Sequence, residues 1–346
     1  MKVIVSHLIF AASILSQSLL AEQRLRVGVI TPLSGTLVAS GEAVRNAVIL
    51  ADSLYDDTDL VTFSFEDNGF QPKNSVTIAR KFISQGVDAV IIFGTPTSMA
   101  VVPLTEQAEI TLAAITIVDK VVKDAKYAVR HFVSWQEENR RIVEEVRRRG
   151  YKRVAIIATL NDASLALRDG FISGAAVEVV VNQEFSPDNM DFQAVAAKIK
   201  SAKPDAVYML LFAPQGSAFM KVLRALDFRG PVFAAHNVED PSEISAAQGA
   251  FDGIWFVTGD DRSGEPHRKA YQEKFGAYPA MGWGNAFDYA KMIIEAAEKN
   301  VPLIDYIKRL KDFEGVFGRY GAAEGNSFTI KAVTKLIDGV EMKVEE

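Results

Sequence analysis

Residues Arg24 to Ala51 read RLRVGVITPLSGTLVASGEAVRNAVILA. Val27, Val29 and Ile30 form a short β-rich apolar run, which Pro32 and Gly35 end. From Glu42 onward Val44, Ala47, Val48 and Ala51 recur at helical spacing, with Arg45, Asn46 and Asp52 between them. The pattern predicts a buried strand, a loop and a helix. Such a unit leaves free backbone N–H groups at the carboxyl end of the strand, where open α/β sheets bind ligands. Any doubly wound fold contains the same unit, so the rest of the chain must decide which one this is.

The alternation continues. Strands are predicted at Val61 to Phe65, Ala89 to Phe93 and Leu112 to Ile115, and helices at Ser75 to Ile83 and Met99 to Ala108. In the first of these helices Val76, Ala79 and Ile83 are the expected inward residues. The unbroken apolar run at Ala89 to Phe93 suits a parallel strand covered on both faces. Arg130 to Gln136 (RHFVSWQ) reads as a crossing segment into a second set: strands at Val154 to Ala158, Val177 to Val181, Ala206 to Leu211, Val232 to Ala235 and Ile254 to Val257. The helices of this set are expected at Glu137 to Arg149, Ala163 to Ala176, Asp191 to Ser201 and Gln215 to Leu226. Helical spacing returns at His267 to Phe275, Asn285 to Lys299 and Leu303 to Lys311, before a hairpin around Asp338-Gly339. Two βα sets with late helices imply that the chain crosses between two lobes more than once.

The chain has 346 residues, 49% hydrophobic, with a formal net charge of −6. That is ample for two cores. Lys and Arg are scattered rather than striped, which argues against a nucleic-acid surface. The one basic cluster, Arg147, Arg148, Arg149, Lys152 and Arg153, falls where a helix ends and complements its dipole. Residues 1–21 read as a cleaved secretory signal: Lys2, an apolar stretch from Ile9 to Leu20 interrupted by Ser13, Ser16, Gln17 and Ser18, and a cleavage site at Ala21. The stretch is too short and interrupted to span a bilayer. The chain contains no Cys, so disulfide and thiolate chemistry are absent. An exported acidic chain without disulfides fits a bacterial periplasm.

Catalytic signatures are missing. His7, His131, His236 and His267 show no metal-ligand spacing. There is no G-x-S-x-G elbow, no Walker A sequence, and no G-x-G-x-x-G after the first strand, where the loop reads TPLSGTLVASG. Neither an enzyme nor a cofactor is expected. Small hydroxyl residues at strand ends suit the holding of a small polar molecule by hydrogen bonds.

Several stretches together resemble the type I periplasmic solute-binding proteins, in the branch that serves branched-chain amino acid and amide ABC transporters. They are Pro32-Leu33-Ser34-Gly35 with Gly41-Glu42-Ala43-Val44-Arg45, then Glu66-Asp67, Gly94 to Ala100, Arg130, Asp191-Phe192, Lys203-Pro204-Asp205-Ala206-Val207 and Phe287-Asp288. The resemblance implies an α/β fold of two doubly wound parallel-sheet lobes joined by three crossings, closing on a ligand as a hinge. The lobes would be residues 24–131 plus about 262–325, and 132–261 plus about 326–346. The implied partners are a small polar ligand (amino acid, amide or carboxylate) and an ABC permease at the inner membrane. No metal, nucleic acid or membrane insertion is implied, and the chain is expected to be a monomer. A stand-alone periplasmic sensor, an exported α/β enzyme and a member that has lost binding are the competing readings.

By position, the family's carboxylate-holding hydroxyls correspond to Thr97, Ser98 and Thr116, with Ser34 in the first loop. Thr97 and Ser98 serve equally as a helix N-cap. In the second lobe Asn161 and Ser164 stand where relatives often carry a Tyr nearby, and Phe212 and Gln215 where relatives place a ligand wall. Trp135 suits either stacking on a ligand or packing at the hinge. Where an acidic residue would take an ammonium the chain reads His236-Asn237-Val238-Glu239-Asp240, which puts neutral Asn237 there and Glu239 two places on. An Asn cannot match a buried ammonium as a carboxylate can. Glu239 and Asp240 also suit the start of a helix at Pro241.

Overall fold

The computed structural model describes residues 24–35, 37–339 and 341–345. The signal reading at residues 1–21 lies outside them. Two open sheets carry the chain. The first contains β1 (Leu25–Thr31), β2 (Val61–Asp67), β3 (Ala89–Phe93), β4 (Thr111–Ile115) and β5 (Ala128–Arg130), all parallel, in the order β2-β1-β3-β4-β5. The second has β6 (Arg153–Thr159), β7 (Glu178–Phe185), β8 (Ala206–Leu210), β9 (Val232–Ala234) and β10 (Trp255–Gly259), parallel to one another. Its edge is extended by an antiparallel pair formed late in the chain.

Both faces of each sheet are apolar, so neighbouring residues of one strand feed different cores. In the first sheet Val27, Val29, Ile91 and Phe93 pack with α1 (Val38–Tyr55). Ile30, Val90 and Ile92 face the other way, onto α2 (Pro72–Ser84) and α3 (Thr95–Ala108). The second sheet repeats this plan. Val154 and Ile156 meet α4 (Trp135–Arg148) and α5 (Asp162–Gly174), while Ala155, Ile157, Val207 and Met209 meet α6 (Gln193–Ala202) and α7 (Gln215–Ala225). The short α8 (Pro241–Ala246) packs beside α7.

The chain crosses between the sheets three times, as expected: after β5, after β10 and before the last strands. After β10 come α9 (Glu265–Phe275), α10 (Trp283–Glu298) and α11 (Leu303–Arg309), and both α9 and α10 pack on α1. Four very short strands then pair locally, β11 (Phe313–Gly315) with β12 (Gly318–Tyr320), and β13 (Ala322–Ala323) with β14 (Ser327–Phe328). β15 (Ala332–Asp338) and β16 (Glu341–Val344) close the order β16-β15-β10-β9-β8-β6-β7, with Asp338 opposite Glu341 across the expected hairpin.

Buried polar groups tie the crossings. In the first, His131 Nε2 lies 2.6 Å from the Tyr320 hydroxyl, which donates to Asp288 Oδ2 at 2.6 Å, and Asn285 Nδ2 is 2.9 Å from His131 Nδ1. In the second, Lys335 Nζ lies 2.9 Å from Glu239 and 3.0 Å from Asp261, whose other oxygen meets Arg268 at 2.8 Å. Three of the five residues of the basic cluster are ion-paired locally: Arg148 meets Glu145, Arg149 meets Glu345 and Arg153 meets Glu178. No described helix is long and apolar enough to cross a membrane.

Three local expectations are corrected. α1 begins at Val38, ahead of Glu42, and places Gly41 against the backbone of Pro32, where a Cβ would fall 1.6 Å from the carbonyl oxygen. α2 buries Ser75, Ile78, Ala79 and Phe82, so Val76 and Ile83 flank its inner face rather than form it. α3 begins at Thr95 rather than Met99.

Candidate functional site

The carboxyl ends of strands from both sheets converge on one cavity of about 600 Å³. The first sheet supplies Phe93, Gly94 and Thr95 after β3, and Ile115, Thr116 and Ile117 around the end of β4. Leu37, Phe70 and Gln71 come from the loops after β1 and β2. The second sheet supplies Thr159, Leu160, Asn161 and Asp162 after β6, Phe212, Ala213 and Gln215 after β8, and His236 after β9. Phe132 of the first crossing and Met281 complete the wall between them. Gly94 is required where it stands: its φ is 97°, and a Cβ there would sit 2.4 Å from the Phe70 ring.

The first-sheet side presents donors without a cation. Thr95 and Thr116 Oγ1 atoms are 2.8 Å apart, and Thr116 Oγ1 also accepts from Val118 N–H at 3.3 Å. One hydroxyl proton makes the mutual bond, so the other remains for the cavity. In the first turn of α3 Pro96 has no N–H and Ser98 N–H donates to Gly94 O at 3.0 Å, while the N–H groups of Thr95 and Thr97 have no intrahelical carbonyl. With the helix dipole they favour an anion there. Among the described residues no Lys or Arg lines the cavity, and the one lining carboxylate, Asp162, is exposed at the start of α5. The remaining walls are mostly aromatic and aliphatic, which is less polar than the sequence suggested.

On the second-sheet side His236 stands edge to face between Phe132 (centroids 5.0 Å apart) and Phe212 (6.0 Å). Its Nδ1 lies 3.0 and 2.9 Å from the two oxygens of Glu138, on α4. Glu138 is fully buried, and burial pushes its carboxyl above the usual range despite His236.

Of the residues singled out in the sequence, Thr116, Asn161, Phe212 and Gln215 line the cavity. Gln215 does so as a buttress: its amide accepts from the Thr159 hydroxyl at 2.6 Å and donates to the Ser186 and Asn189 carbonyls, both at 2.8 Å. Asn161 caps α5, accepting from Ser164 N–H at 2.9 Å. The other seven are placed elsewhere. Thr97 and Ser98 are buried in the first turn of α3. Thr97 donates to the Phe93 and Gly94 carbonyls, the second at 2.9 Å, and Ser98 donates to Gly94 at 2.6 Å, so neither is a cap or a cavity hydroxyl. Ser164 donates to Leu210 O at 3.1 Å, inside the second lobe. Asn237 bridges strand ends, donating to Met209 and Leu211 carbonyls at 3.2 and 2.9 Å. Glu239 is ion-paired with Lys335 and lines a separate small cavity beside Thr258 and Asp261. Trp135 starts α4, packs against Gly170 of α5 within the second lobe, and is not among the residues lining the cavity. Ser34 is exposed beside Asp67. Asp240 caps α8, accepting from the Ser242 and Glu243 N–H groups, as expected for the start of a helix at Pro241.

Sequence reasoning missed Thr95, His236 and the aromatic wall of Phe70, Phe93 and Phe132. The usable signal for Thr95 was Pro96, a residue favoured in the first turn of a helix. Among the described residues no group of three or more His, Cys, Asp or Glu could hold a metal.

A family model described as periplasmic binding protein matches residues 24–333. The chain belongs to the periplasmic binding protein family. This solute-binding chain is 23% identical over 300 residues to the Leu/Ile/Val-binding protein BraC3 of Rhizobium johnstonii, covering 81% of this chain and 80% of that one. Among solved structures it is similar to the branched-chain amino acid transporter substrate-binding protein LivJ of Streptococcus pneumoniae in complex with isoleucine, with a TM-score of 0.87, 18% identity, and 93% and 99% of the two chains covered. It is also similar to a solute-binding protein of an ABC transporter from Rhodopseudomonas palustris in complex with 3,4-dihydroxybenzoic acid, with a TM-score of 0.82, 22% identity, and 93% and 96% covered. The expected leucine-binding-protein-like fold is borne out for this periplasmic binding protein; at these identities the structural likeness speaks for the fold alone.

Proposed function

We propose that this chain is the periplasmic substrate-binding subunit of an ABC importer, without catalytic activity, and that it captures a small carboxylate with an apolar body. The observation that carries this reading is the cavity itself. It lies between the carboxyl ends of two sheets, with an uncharged anion-binding end and aromatic walls. In this reading the carboxylate sits on Thr95, Thr116 and the start of α3, and Phe70, Phe93, Phe132 and Phe212 hold the body. Residues 24–131 with about 262–325, and 132–261 with about 326–346, move as the two lobes about the three crossings, and the ligand-loaded monomer docks on a permease after export.

A zwitterionic amino acid fits less well than a plain acid. An ammonium inside the cavity would need a buried carboxylate, and Glu239 is taken by Lys335. Relatives support both classes, with isoleucine in one solved structure and 3,4-dihydroxybenzoic acid in another. A thermal-shift screen of the purified protein with benzoate, 3,4-dihydroxybenzoate, leucine and isoleucine tests the reading. A ligand at a hundredfold excess over Kd adds about 2.7 kcal/mol to stability. Stabilisation by the aromatic acids and not by the amino acids is expected; the reverse pattern would overturn the assignment.

A further inference from the structure

The Glu138–His236 pair brings two titratable side chains to the cavity from inside the second lobe. His236 Nδ1 is committed to Glu138 at 2.9 and 3.0 Å. Its Nε2 makes no hydrogen bond to the protein among the described residues, on a ring that lines the cavity between Phe132 and Phe212. A polar atom left open in an apolar wall is a recognition element, because its partner must come from the ligand.

We propose that His236 is the specificity-determining hydrogen-bond donor of the cavity, that Glu138 positions it with Nε2 protonated, and that the pair selects ligands carrying an oxygen acceptor at the end away from the carboxylate. The inference rests on the carboxylate reading above. With one proton shared between Glu138 and Nδ1, either as a carboxylic acid facing a neutral ring or as a carboxylate facing an imidazolium, Nε2 carries hydrogen. Only loss of that shared proton moves the ring hydrogen to Nδ1 and turns Nε2 into an acceptor, and it leaves a net negative charge in the protein interior. Burial opposes that charge, and Glu239 on the neighbouring loop adds a like charge that opposes it further. Tyr208 on β8, also buried, faces Glu138 as well. Net neutrality of so deeply buried a pair leaves Nε2–H as the donor toward the ligand. A hydroxyl, carbonyl or carboxylate oxygen satisfies it. An ammonium, which has donors and no acceptor, does not.

The test compares benzoate, 4-hydroxybenzoate and 4-(aminomethyl)benzoate by titration calorimetry on the wild-type protein, His236→Phe and Glu138→Gln, alongside nitrogen NMR of the imidazole. In the wild type 4-hydroxybenzoate is expected to bind about tenfold more tightly than benzoate, and the aminomethyl compound at least tenfold more weakly. The ratio falls to about one in His236→Phe. The imidazole spectrum shows Nε2 protonated in the wild type and a mixture of tautomers in Glu138→Gln, with a reduced ratio. Equal binding of the three acids to the wild type, or an unprotonated Nε2, overturns this inference and leaves the carboxylate reading standing. An unchanged tautomer and ratio in Glu138→Gln removes the role of Glu138. Failure of every acid to bind the wild type overturns both readings together.

Discussion

Lys335 Nζ lies 2.9 Å from Glu239 Oε1, and this buried ion pair joins the last long strand to the loop that follows β9. Burial alone would lower the Lys335 pKa; Glu239 and Asp261 outweigh it and hold the ammonium above its ordinary value. Glu239 is therefore a structural anion. Glu239→Gln leaves Lys335 with Asp261 at 3.0 Å and should cost about 1–3 kcal/mol of stability. Lys335→Met leaves a buried carboxylate without its cation and should cost about 3–5 kcal/mol. Urea unfolding measures both. Glu239→Gln should leave the ligand Kd within about threefold of wild type, and a larger loss would return Glu239 to the binding site.

Asp288 and His131 share Tyr320 at the first crossing and titrate in opposite senses. Burial pushes Asp288 up from 3.8 to about 7, so its contribution to stability is full below about pH 3.8 and is lost as pH rises through 7. Burial, with Arg130, pushes His131 down from 6.5 to about 3, so its contribution is full above 6.5 and is lost as pH falls through 3. In the wild type the two slopes oppose one another between these limits. Asp288→Asn should expose the histidine term, with stability falling by about 3 kcal/mol on acidification from about pH 6.5 to 4. His131→Asn should expose the carboxyl term, with stability rising over the same range. Denaturation curves at several pH values read the sign of each slope, which is independent of the absolute loss each variant suffers.

The sequence carried the fold because its signals are local. An apolar run ended by Pro32 and Gly35, then Val44, Ala47 and Val48 at helical spacing, suffices for β1 and α1 wherever they pack. Helix starts were less legible. Gly94-Thr95-Pro96-Thr97-Ser98 has no apolar periodicity, so the pattern alone could not say whether α3 opens before or after its hydroxyl residues. The structure opens it at Thr95, which turns Thr97 and Ser98 into backbone-bonded residues and leaves Thr95 at the cavity. The Glu138–His236 pair joins elements 98 residues apart in the chain, and no spacing rule reports such a contact. The β11 to β14 strands were missed because runs of two or three residues give no period-2 signal.

Gly41 is the residue on which the opening unit closes. A Cβ at this position would lie 1.6 Å from the Pro32 carbonyl oxygen and 2.4 Å from its carbon. Both partners are backbone, so no side-chain rotation relieves the clash. Gly41→Ala should destabilise the protein by about 3 kcal/mol or more, in spite of the better helix propensity of Ala. Gly174→Ala, at the end of α5, meets only a Val143 methyl at 3.6 Å and should be close to neutral. Thermal melting of the two variants separates close backbone approach from a general intolerance of glycine replacement.

Thr95 and Thr97 are two positions apart, and the structure gives their hydroxyls different work. Thr95 Oγ1 meets Thr116 Oγ1 at 2.8 Å on the cavity wall, whereas Thr97 Oγ1 is spent on backbone carbonyls of the β3 end. A neutral hydrogen bond to a carboxylate contributes about 1.5–3 kcal/mol. Thr95→Val and Thr116→Val should each weaken benzoate binding by roughly 10- to 100-fold with little change in melting temperature. Thr97→Val should do the reverse: about 0.5–1.5 kcal/mol of stability lost and benzoate affinity unchanged. Calorimetry and unfolding on the same three variants give the answer. If Thr97→Val loses binding while Thr95→Val keeps it, the carboxylate sits against Thr97 rather than on Thr95 and Thr116 as proposed.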